Sequence, residues 1–343
     1  MAKLPSSAIG VDLGRHSMKA VLLQRRSGNR FALTHYAIRQ LAEEVMSVET
    51  LSANLKALLQ EMGGRSKACA ISVSSADALV RIIEQPSIPT ELLRDALRLN
   101  GQMLLNQDCR ELVLDCDVIP SNDASAAAAG VVRYVVGGLP RTRVQSVFEA
   151  CVKAKAPATA LQVSPVSLFN GFEFANEETF NGQAFVLVDI GHLSSTVIVG
   201  AKRELILVRT LEFGGHSFVD ELICHGAASL EEIIELLAQE EVLTVENARL
   251  SLTELVRSIS SSIGFFEARR EESIPRIFVS GGLARLPAII KILTEELQLP
   301  CEAWNPFAKC EIQLGSSQKG AFPGQLPALA VACGAAAELL KGR

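Results

Sequence analysis

The sequence lacks the motifs that carry several common activities. Its cysteines include no C-x-x-C pair, and its five histidines form no pair at metal-ligand spacing, so neither a zinc site nor a redox motif is predicted. The P-loop pattern G-x-x-x-x-G-K-[ST] and the pattern G-x-G-x-x-G are both absent, which excludes the Walker and Rossmann routes to phosphate binding. The cysteines are expected to be reduced and packed as small hydrophobic residues: Cys69, Cys109, Cys116, Cys151, Cys224, Cys301, Cys310 and Cys333.

An excess of basic residues is also missing. The 33 basic and 38 acidic residues are mixed along the chain and give a net charge of -5, so no nucleic-acid partner is expected. The segment "MAKLPSSAIGVDLG" reaches Asp12 without the apolar core of a secretory signal. The apolar runs "ASAAAAGVVRYVVGGL" and "LPALAVACGAAAELL" are shorter than the roughly 20 residues that cross a bilayer. We therefore expect a cytoplasmic protein with no direct membrane insertion.

What the sequence does contain is a polar hairpin pattern that occurs twice. A chain of 343 residues with 48% hydrophobic residues predicts two domains or two halves around a cleft. The segments "IGVDLGRHSMKAVLL" and "VLVDIGHLSSTVIVG" each read as a strand, Asp-x-Gly, a polar turn and a second strand. Aligned position by position, the two copies pair Asp12 with Asp189, Gly14 with Gly191, Ser17 with Ser194, and Lys19 with Thr196.

A single Asp-x-Gly hairpin is typical of any tight turn, but two copies in register favour a phosphate clamp. Glycine lets backbone N–H groups approach a polyphosphate, while hydroxyls and a lysine donate hydrogen bonds to it. The carboxylates of Asp12 and Asp189 suit Mg²⁺, held through water. A third element, "FVSGGLARLP", predicts a strand, Gly281 and Gly282, and a helix whose N-terminus favours a nearby anion.

The secondary structure predicted from hydrophobic periodicity repeats a plan of strands followed by a helix. The residue pattern changes near Val80, where a proline-containing connector precedes a new helix. This stretch predicts a compact insertion with Thr90 as the N-cap of its helix. The low-complexity run "SNDASAAAAG" lies inside that insertion. The predicted strands are 7–23 (a hairpin), 31–41, 68–75, 111–120, 184–190, 195–201 and 204–213. The predicted helical regions are 47–62, 90–105, 141–154, 218–270 and 326–340.

Two Asp-x-Gly hairpins, a later Ser-Gly-Gly and a terminal small-residue helix, in this order, resemble the actin-like ATPase superfamily of actin, MreB, FtsA and the sugar kinases. Within it the chain is similar to the PilM family of type IV pilus assembly over nearly its whole length. The segments that carry this closer resemblance are "SIPTELLRDALRLNGQMLL" with "ELVLDCDVI", "RTLEFGGHSFVDEL", and "LPCEAWNPF" with its Asn305-Pro306-Phe307.

The resemblance implies an α/β, actin-like fold: two RNase-H-like domains around a nucleotide cleft, with a small insertion of the FtsA and PilM type in the first half and a helical subdomain in the second. The implied divisions are 1–79, 151–180 and 326–343 for the first domain, 80–150 for the insertion, and 181–325 for the second domain, with its helical subdomain at about 217–272.

The resemblance also implies ligands and partners. ATP with Mg²⁺ is expected at Asp12, Gly14, Ser17, Lys19, Asp189, Gly191, Ser194, Thr196, Glu235, Ser280, Gly281 and Gly282, with Asp12 and Asp189 on the metal side. The partner implied is the short cytoplasmic N-terminal segment of a PilN-like membrane protein, bound within 80–150, beside other inner-membrane pilus assembly proteins. Such partners would recruit the chain to the inner face of the cytoplasmic membrane.

Several positions depart from the superfamily pattern. Arg15, His16 and His192 stand where small residues follow Asp-x-Gly, and these side chains either occlude the phosphates or donate to them. Ala238 replaces a lysine expected near the ribose. The connecting segment "VSPVSL" offers only Ser164 and Ser167 where an acid or amide orients the attacking water, so slow or absent hydrolysis is expected.

A small-molecule kinase, or another active ATPase of this fold, stays open as an alternative, although no convincing base for a substrate hydroxyl is found. An FtsA-like cell-division protein would need an amphipathic membrane-targeting helix after the core. The cytoplasmic part of a GspL-type secretion protein would run into a transmembrane helix. Fold alone does not fix function in this superfamily. The scaffold interpretation is favoured because each of the three alternatives requires a feature that is not found in this sequence.

Overall fold

A computed structural model describes residues 4–42, 47–63, 65–74, 78–121 and 130–341. The middle of the run "SNDASAAAAG" lies outside the described residues. The strands are β1 (Ser7–Leu13), β2 (Ser17–Arg25), β3 (Phe31–Gln40), β4 (Cys69–Val73), β5 (Leu79–Pro86), β6 (Leu112–Val118), β7 (Val131–Pro140), β8 (Ala158–Val163), β9 (Ala184–Ile190), β10 (Ser195–Ala201), β11 (Glu204–Leu211), β12 (Ile277–Gly281), β13 (Cys301–Ala303) and β14 (Cys310–Ile312).

The helices alternate with these strands and cluster in the second half. They are α1 (Val48–Met62), α2 (Thr90–Leu105), α3 (Arg141–Ala154), α4 (Ser164–Ala175), α5 (Glu177–Gly182), α6 (Gly215–Cys224), α7 (Leu230–Ala238), α8 (Val242–Ser251), α9 (Thr253–Arg270), α10 (Pro287–Leu297), α11 (Ser316–Lys319) and α12 (Ala330–Lys341). Short 3-10 turns lie at Ser27–Asn29, Leu283–Arg285 and Pro323–Leu329.

Within the described residues the strands form three sheets, and the two larger ones repeat one plan. The first sheet has the order β14-β3-β2-β1-β4-β8 and the second β11-β10-β9-β12-β13. In each, three consecutive antiparallel strands are followed by a strand parallel to the first of them: β4 beside β1, and β12 beside β9. The repeated hairpin of the sequence is therefore the start of two similar half-molecules.

The two halves share an aromatic core. Phe172, fully buried on α4 of the first half, packs against Phe185 of β9 and Phe278 of β12, with ring centroids 4.6 and 4.7 Å away. Trp304, just after β13, meets the same ring edge-on at 5.4 Å. This aromatic cluster joins the two halves in one buried core.

The last helix of the chain closes the first half. Helix α12 packs on β1 and on α4, and its small residues allow backbone approach: a Cβ on Gly334 would lie 1.7 Å from the carbonyl oxygen of Ser167. The apolar stretch Pro323–Lys341 is long and apolar enough to cross a membrane by length and composition, which is longer than the sequence pattern predicted. However, 67% of it is buried inside the protein, as expected of a core helix.

The third sheet, with the order β5-β7-β6, and helix α2 form a unit within the predicted insertion. Helix α3 packs instead on α1 and shares the first sheet's core through Val147, Ala150 and Cys151. The prediction of Thr90 as an N-cap was wrong: Thr90 is the first helical residue and Pro89 precedes it without a side-chain cap. Proline suits this boundary because it has no N–H to satisfy and a fixed φ.

The predicted helix start near Ser47 is confirmed, because the Ser47 Oγ accepts a hydrogen bond from the backbone N–H of Thr50 at 3.1 Å. The predicted helical region 218–270 ends in α9, one face of which is buried. Leu255, Ile259, Ile263 and Phe266 of α9 are buried against the second sheet.

Candidate functional site

The two Asp-x-Gly hairpins have the same turn geometry. Gly14 follows β1, and a Cβ there would lie 2.7 Å from the carbonyl oxygen of Ser17; Gly191 follows β9 with the same 2.7 Å to the carbonyl oxygen of Ser194. Both turns therefore need glycine, since any side chain would meet the backbone of the returning strand. The chain makes this tight turn once in each half.

Both hairpins end in one cavity of about 410 Å³ between the halves, a size typical of a small-molecule site. Three of the predicted residues do not line it: Thr196 and Ser280 are buried behind it, and Glu235 is exposed on α7. The other nine predicted residues line it: Asp12, Gly14, Ser17, Lys19, Asp189, Gly191, Ser194, Gly281 and Gly282.

The first hairpin contributes an ion pair. Lys19 Nζ donates to Asp12 Oδ2 at 2.9 Å, and the two residues face one another across β1 and β2. Their side chains are only 17% and 11% exposed, so little of this ion pair at the cavity wall is accessible to solvent. The lysine can donate to an anion in the cavity while its charge holds the carboxylate of Asp12 in place.

The second hairpin contributes a carboxylate that burial makes hard to ionise. Burial raises the pKa of Asp189 to about 6, the hydrogen bond donated by Ser280 Oγ at 2.8 Å opposes that rise, and the negative charge of Asp12 adds to it. Two carboxylates and one lysine at this cavity leave a net negative charge at neutral pH. A hard divalent cation, which prefers oxygen ligands, relieves that repulsion.

The Ser-Gly-Gly segment brings a third piece of backbone to the cavity. Gly281 has a φ of +92°, and a Cβ on it would lie 2.1 Å from the carbonyl oxygen of Ile190, so this close approach to the end of β9 requires glycine. The predicted order of strand, double glycine and helix is present, with one short element before the α-helix. A 3-10 turn at Leu283–Arg285 intervenes, and α10 begins only at Pro287.

Three histidines form a column beside the clamp. The rings of His16 and His192, one from each hairpin, stack with centroids 4.4 Å apart and planes inclined by 23°. His216, at the start of α6, continues the column 5.2 Å from His192 and lies 3.4 Å from Asp220. All three rings, together with Arg15, line the cavity. The long side chains that follow the Asp-x-Gly motifs therefore meet each other across the cleft.

Part of the cavity lining is apolar and was missed by the sequence analysis. Val219, Leu230, Ile234 and Leu286 line it, from α6, α7 and the segment before α10. These residues belong to helical patterns that are typical of any core, so their separate role had no sequence signal. Such a wall suits the flat face of a base.

Beside this wall, Arg285 Nη1 donates to Gln325 Oε1 at 3.1 Å, and both residues line the cavity. Glu235, predicted near the ribose, instead accepts a hydrogen bond from Gln239 Nε2 at 3.2 Å on the outer surface of α7. The next residue back along the helix, Ile234, is the one that reaches the cavity. The α7 segment thus contributes an apolar contact where a carboxylate was expected.

The connecting segment places one serine at the cavity. Ser164 lines it, whereas Ser167 is fully buried and its Oγ donates to Gln162 Oε1 at 2.7 Å. Gln162, at the end of β8, is an amide that the sequence analysis did not consider. Its side-chain oxygen is held by Ser167, and it does not line the cavity.

Comparison with known proteins identifies the family. The family model described as "Type IV pilus assembly protein PilM" matches residues 10–339. No curated protein matches the sequence.

Among solved structures, the "PilM-PilN type IV pilus biogenesis complex" is 23% identical, with a TM-score of 0.80 over 98% of this chain and 99% of that one. The ethanolamine utilization protein EutJ from Carboxydothermus hydrogenoformans is 14% identical, with a TM-score of 0.53 over 100% and 91%. A diol dehydratase-reactivating factor in nucleotide-free form is 8% identical, with a TM-score of 0.52 over 96% and 98%. The chain therefore has the expected actin-like α/β fold and belongs to the PilM family of type IV pilus assembly proteins.

Proposed function

We propose that the chain is a scaffold of the inner-membrane complex that assembles type IV pili, with a Mg²⁺-nucleotide as a ligand of its cleft. The observation that carries the nucleotide part is the clamp itself. Asp12 and Asp189 come from separate halves, and both line one cavity together with two glycine turns. A ligand that spans this cavity stabilises one arrangement of the halves.

The residues present fit a magnesium nucleotide on three counts. The turns at Gly14, Gly191 and Gly281 line the cavity without side chains, so a polyphosphate can come close to their backbone. Lys19 supplies a positive charge, and the two aspartates supply oxygen ligands. Bound magnesium would neutralise phosphate charge, and the apolar wall would cover the base.

The connecting segment provides little for turnover. Ser164 is the residue of the connecting segment that lines the cavity, and a serine hydroxyl is a poor general base at neutral pH. We infer that the nucleotide is held rather than rapidly hydrolysed. A steady, fast release of phosphate by the pure protein would contradict this and would favour an enzyme of the same fold.

Isothermal titration with Mg-ATP tests the clamp. Wild type should bind, while Asp12→Ala and Asp189→Ala should each lose affinity by at least about tenfold, since each removes one charge from the ligand shell. Asp95→Ala is the matched control, because Asp95 is an exposed aspartate on α2. Absence of binding by wild type would leave a scaffold without a nucleotide.

The partner we propose is the cytoplasmic N-terminal segment of a PilN-like membrane protein, bound at the inserted subdomain. Support comes from the similarity to a PilM-PilN complex along nearly the whole chain. The inserted subdomain and α3 also expose large apolar side chains: Leu99 and Met103 on α2 are 82% and 84% exposed, and Phe148 on α3 is 63% exposed. Helices α2 and α3 both contact β6, and exposed apolar residues on such elements are typical of a peptide-binding surface.

A synthetic peptide of that segment, titrated by fluorescence anisotropy, tests the partner. Met103→Glu and Phe148→Glu each place a charge on the proposed surface, and at least one should weaken binding about tenfold or more. The matched control is Leu243→Glu on α8, because Leu243 is 72% exposed in the helical subdomain. If Leu243→Glu alone weakens binding, the peptide docks elsewhere. Binding unaffected by all three variants would place the peptide outside these surfaces.

A further inference from the structure

A second cavity, of about 870 Å³, lies between the inserted subdomain and the second half. It shares no lining residue with the nucleotide cavity. One side is formed by β5 and β7, and the other by β11 and α9. We refer to it as the arginine groove. It plays no part in the clamp or in the apolar surface of α2 and α3.

Both sides of the arginine groove include the edge strand of a sheet. β5 is the outer strand of the three-stranded sheet, and β11 is the outer strand of the five-stranded sheet. The described residues show no backbone hydrogen bond between β5 and β11, although the two strands lie close together. Edge strands offer backbone N–H and C=O groups to an added strand.

The arginine groove carries more positive than negative charge, in a chain whose net charge is -5. Arg133 and Arg270 both contact Glu204, at 3.4 and 2.6 Å, and this glutamate is 2% exposed. The groove thus already holds one carboxylate between two guanidinium groups. The remaining charged residues of its lining are Arg81, Arg269 and one acid, Glu84.

Arg81 and Arg269 have no carboxylate partner among the residues that the structure describes. Arg81 Nη1 donates to the backbone oxygen of Val80 at 3.1 Å, and the Arg269 guanidinium lies 5.2 Å from the ring centroid of Phe265. Neither contact neutralises a positive charge. Planar guanidinium groups suit carboxylates, because they donate two parallel hydrogen bonds to both oxygens.

We propose that the arginine groove binds an extended acidic peptide segment of a partner protein. The segment adds a strand to the edge of β5 or β11 and directs its carboxylates to Arg81 and Arg269. In a strand, alternate side chains face opposite ways. The carboxylates of such a peptide therefore meet the arginines while its apolar residues meet Ile82 and Ile206, which also line the groove.

The test uses a fluorescein-labelled peptide of about eight residues that alternates Val and Glu, long enough to span a typical strand. Fluorescence anisotropy should show saturable binding to the full chain, and the matched Val-Gln peptide should not bind. Arg81→Gln and Arg269→Gln should each weaken binding by roughly five- to tenfold, as expected for loss of a charge-assisted hydrogen bond. Arg98→Gln is the control, because Arg98 is 71% exposed on α2, away from the groove.

Two further measurements separate strand addition from general attraction of charge. Methylating alternate backbone nitrogens of the peptide should weaken binding, because strand pairing needs those N–H donors. A DNA oligonucleotide of equal charge should compete poorly. The proposal is overturned if the Val-Glu peptide shows no saturable binding, or if Arg98→Gln weakens binding as much as Arg269→Gln. It is also overturned if the methylated peptide binds as tightly as the unmodified one, or if the oligonucleotide competes as well as unlabelled peptide. Because Asp12→Ala leaves the groove intact, peptide binding by that variant distinguishes this site from the nucleotide cleft.

Discussion

Replacing Asp189 with asparagine should stabilise the nucleotide-free protein at neutral pH while removing its affinity for Mg-nucleotide. The carboxylate of Asp189 lies among buried strand ends, next to Ser280 and within the electric field of Asp12. Burial raises its pKa from 3.8 to about 6, so the charged form is less stable in the fold than in the unfolded chain. Asparagine keeps the acceptor for Ser280 and has no charge to bury.

The size of the effect depends on pH. Ionising a carboxyl with a pKa of about 6 in the fold, against 3.8 in the unfolded chain, costs on the order of 3 kcal/mol at about pH 8. Between these two values the folded state binds more protons than the unfolded state, so the stability of the wild type falls as the pH rises and is constant above about pH 7. The advantage of Asp189→Asn should therefore reach about 1–3 kcal/mol at pH 8 and roughly half of that at pH 5.

Urea unfolding followed by circular dichroism at both pH values measures this difference. Asp95→Asn serves as the control, because the side chain of Asp95 is 65% exposed and its substitution should change the unfolding free energy by about 0.5 kcal/mol or less. Titration with Mg-ATP measures the accompanying loss of binding. A variant that is no more stable than wild type at pH 8, or equally stabilised at both pH values, would refute the assignment of buried charge to Asp189.

Three other predictions concern the core, the thiols and the buried ion pair. Gly334→Ala places a Cβ 1.7 Å from a backbone oxygen of α4 and should lower the free energy of unfolding by more than about 3 kcal/mol, measured by thermal unfolding. Gly264→Ala, in open space within α9, is the control and should raise it by about 0.5–1 kcal/mol. Equal effects would contradict the close crossing of α12 and α4. Ellman's reagent should modify one thiol rapidly in the folded protein, that of Cys224, because it is exposed and the other cysteines are buried or half-buried; several fast thiols would contradict this burial. Glu204→Gln should lower the free energy of unfolding by about 2–4 kcal/mol, because it leaves the 14% exposed guanidinium of Arg133 without its carboxylate. An unchanged melting temperature would show that the ion pair does not stabilise the fold.

The sequence alone predicted the elements that repeat. An Asp-x-Gly turn between two apolar strands is a local signal, because strand alternation and glycine turns depend on neighbouring residues. The positions of Asp12, Gly14, Asp189 and Gly191 at the cavity follow from it. Glu235 was expected at the cavity only from the family resemblance. In the structure the preceding residue of α7, Ile234, lines the cavity instead.

Other features depended on the tertiary structure, because they arise between segments distant in the chain. The raised pKa of Asp189 comes first from burial and then from the charge of Asp12, and only the packed sheets produce that burial and bring Asp12 near. The stacked rings of His16 and His192 likewise meet only when the two halves close on each other. Local patterns determined the two hairpins and the class of fold. The relative placement of the halves decided the burial, charge and shape of the cleft, because those quantities depend on distances that no local pattern encodes.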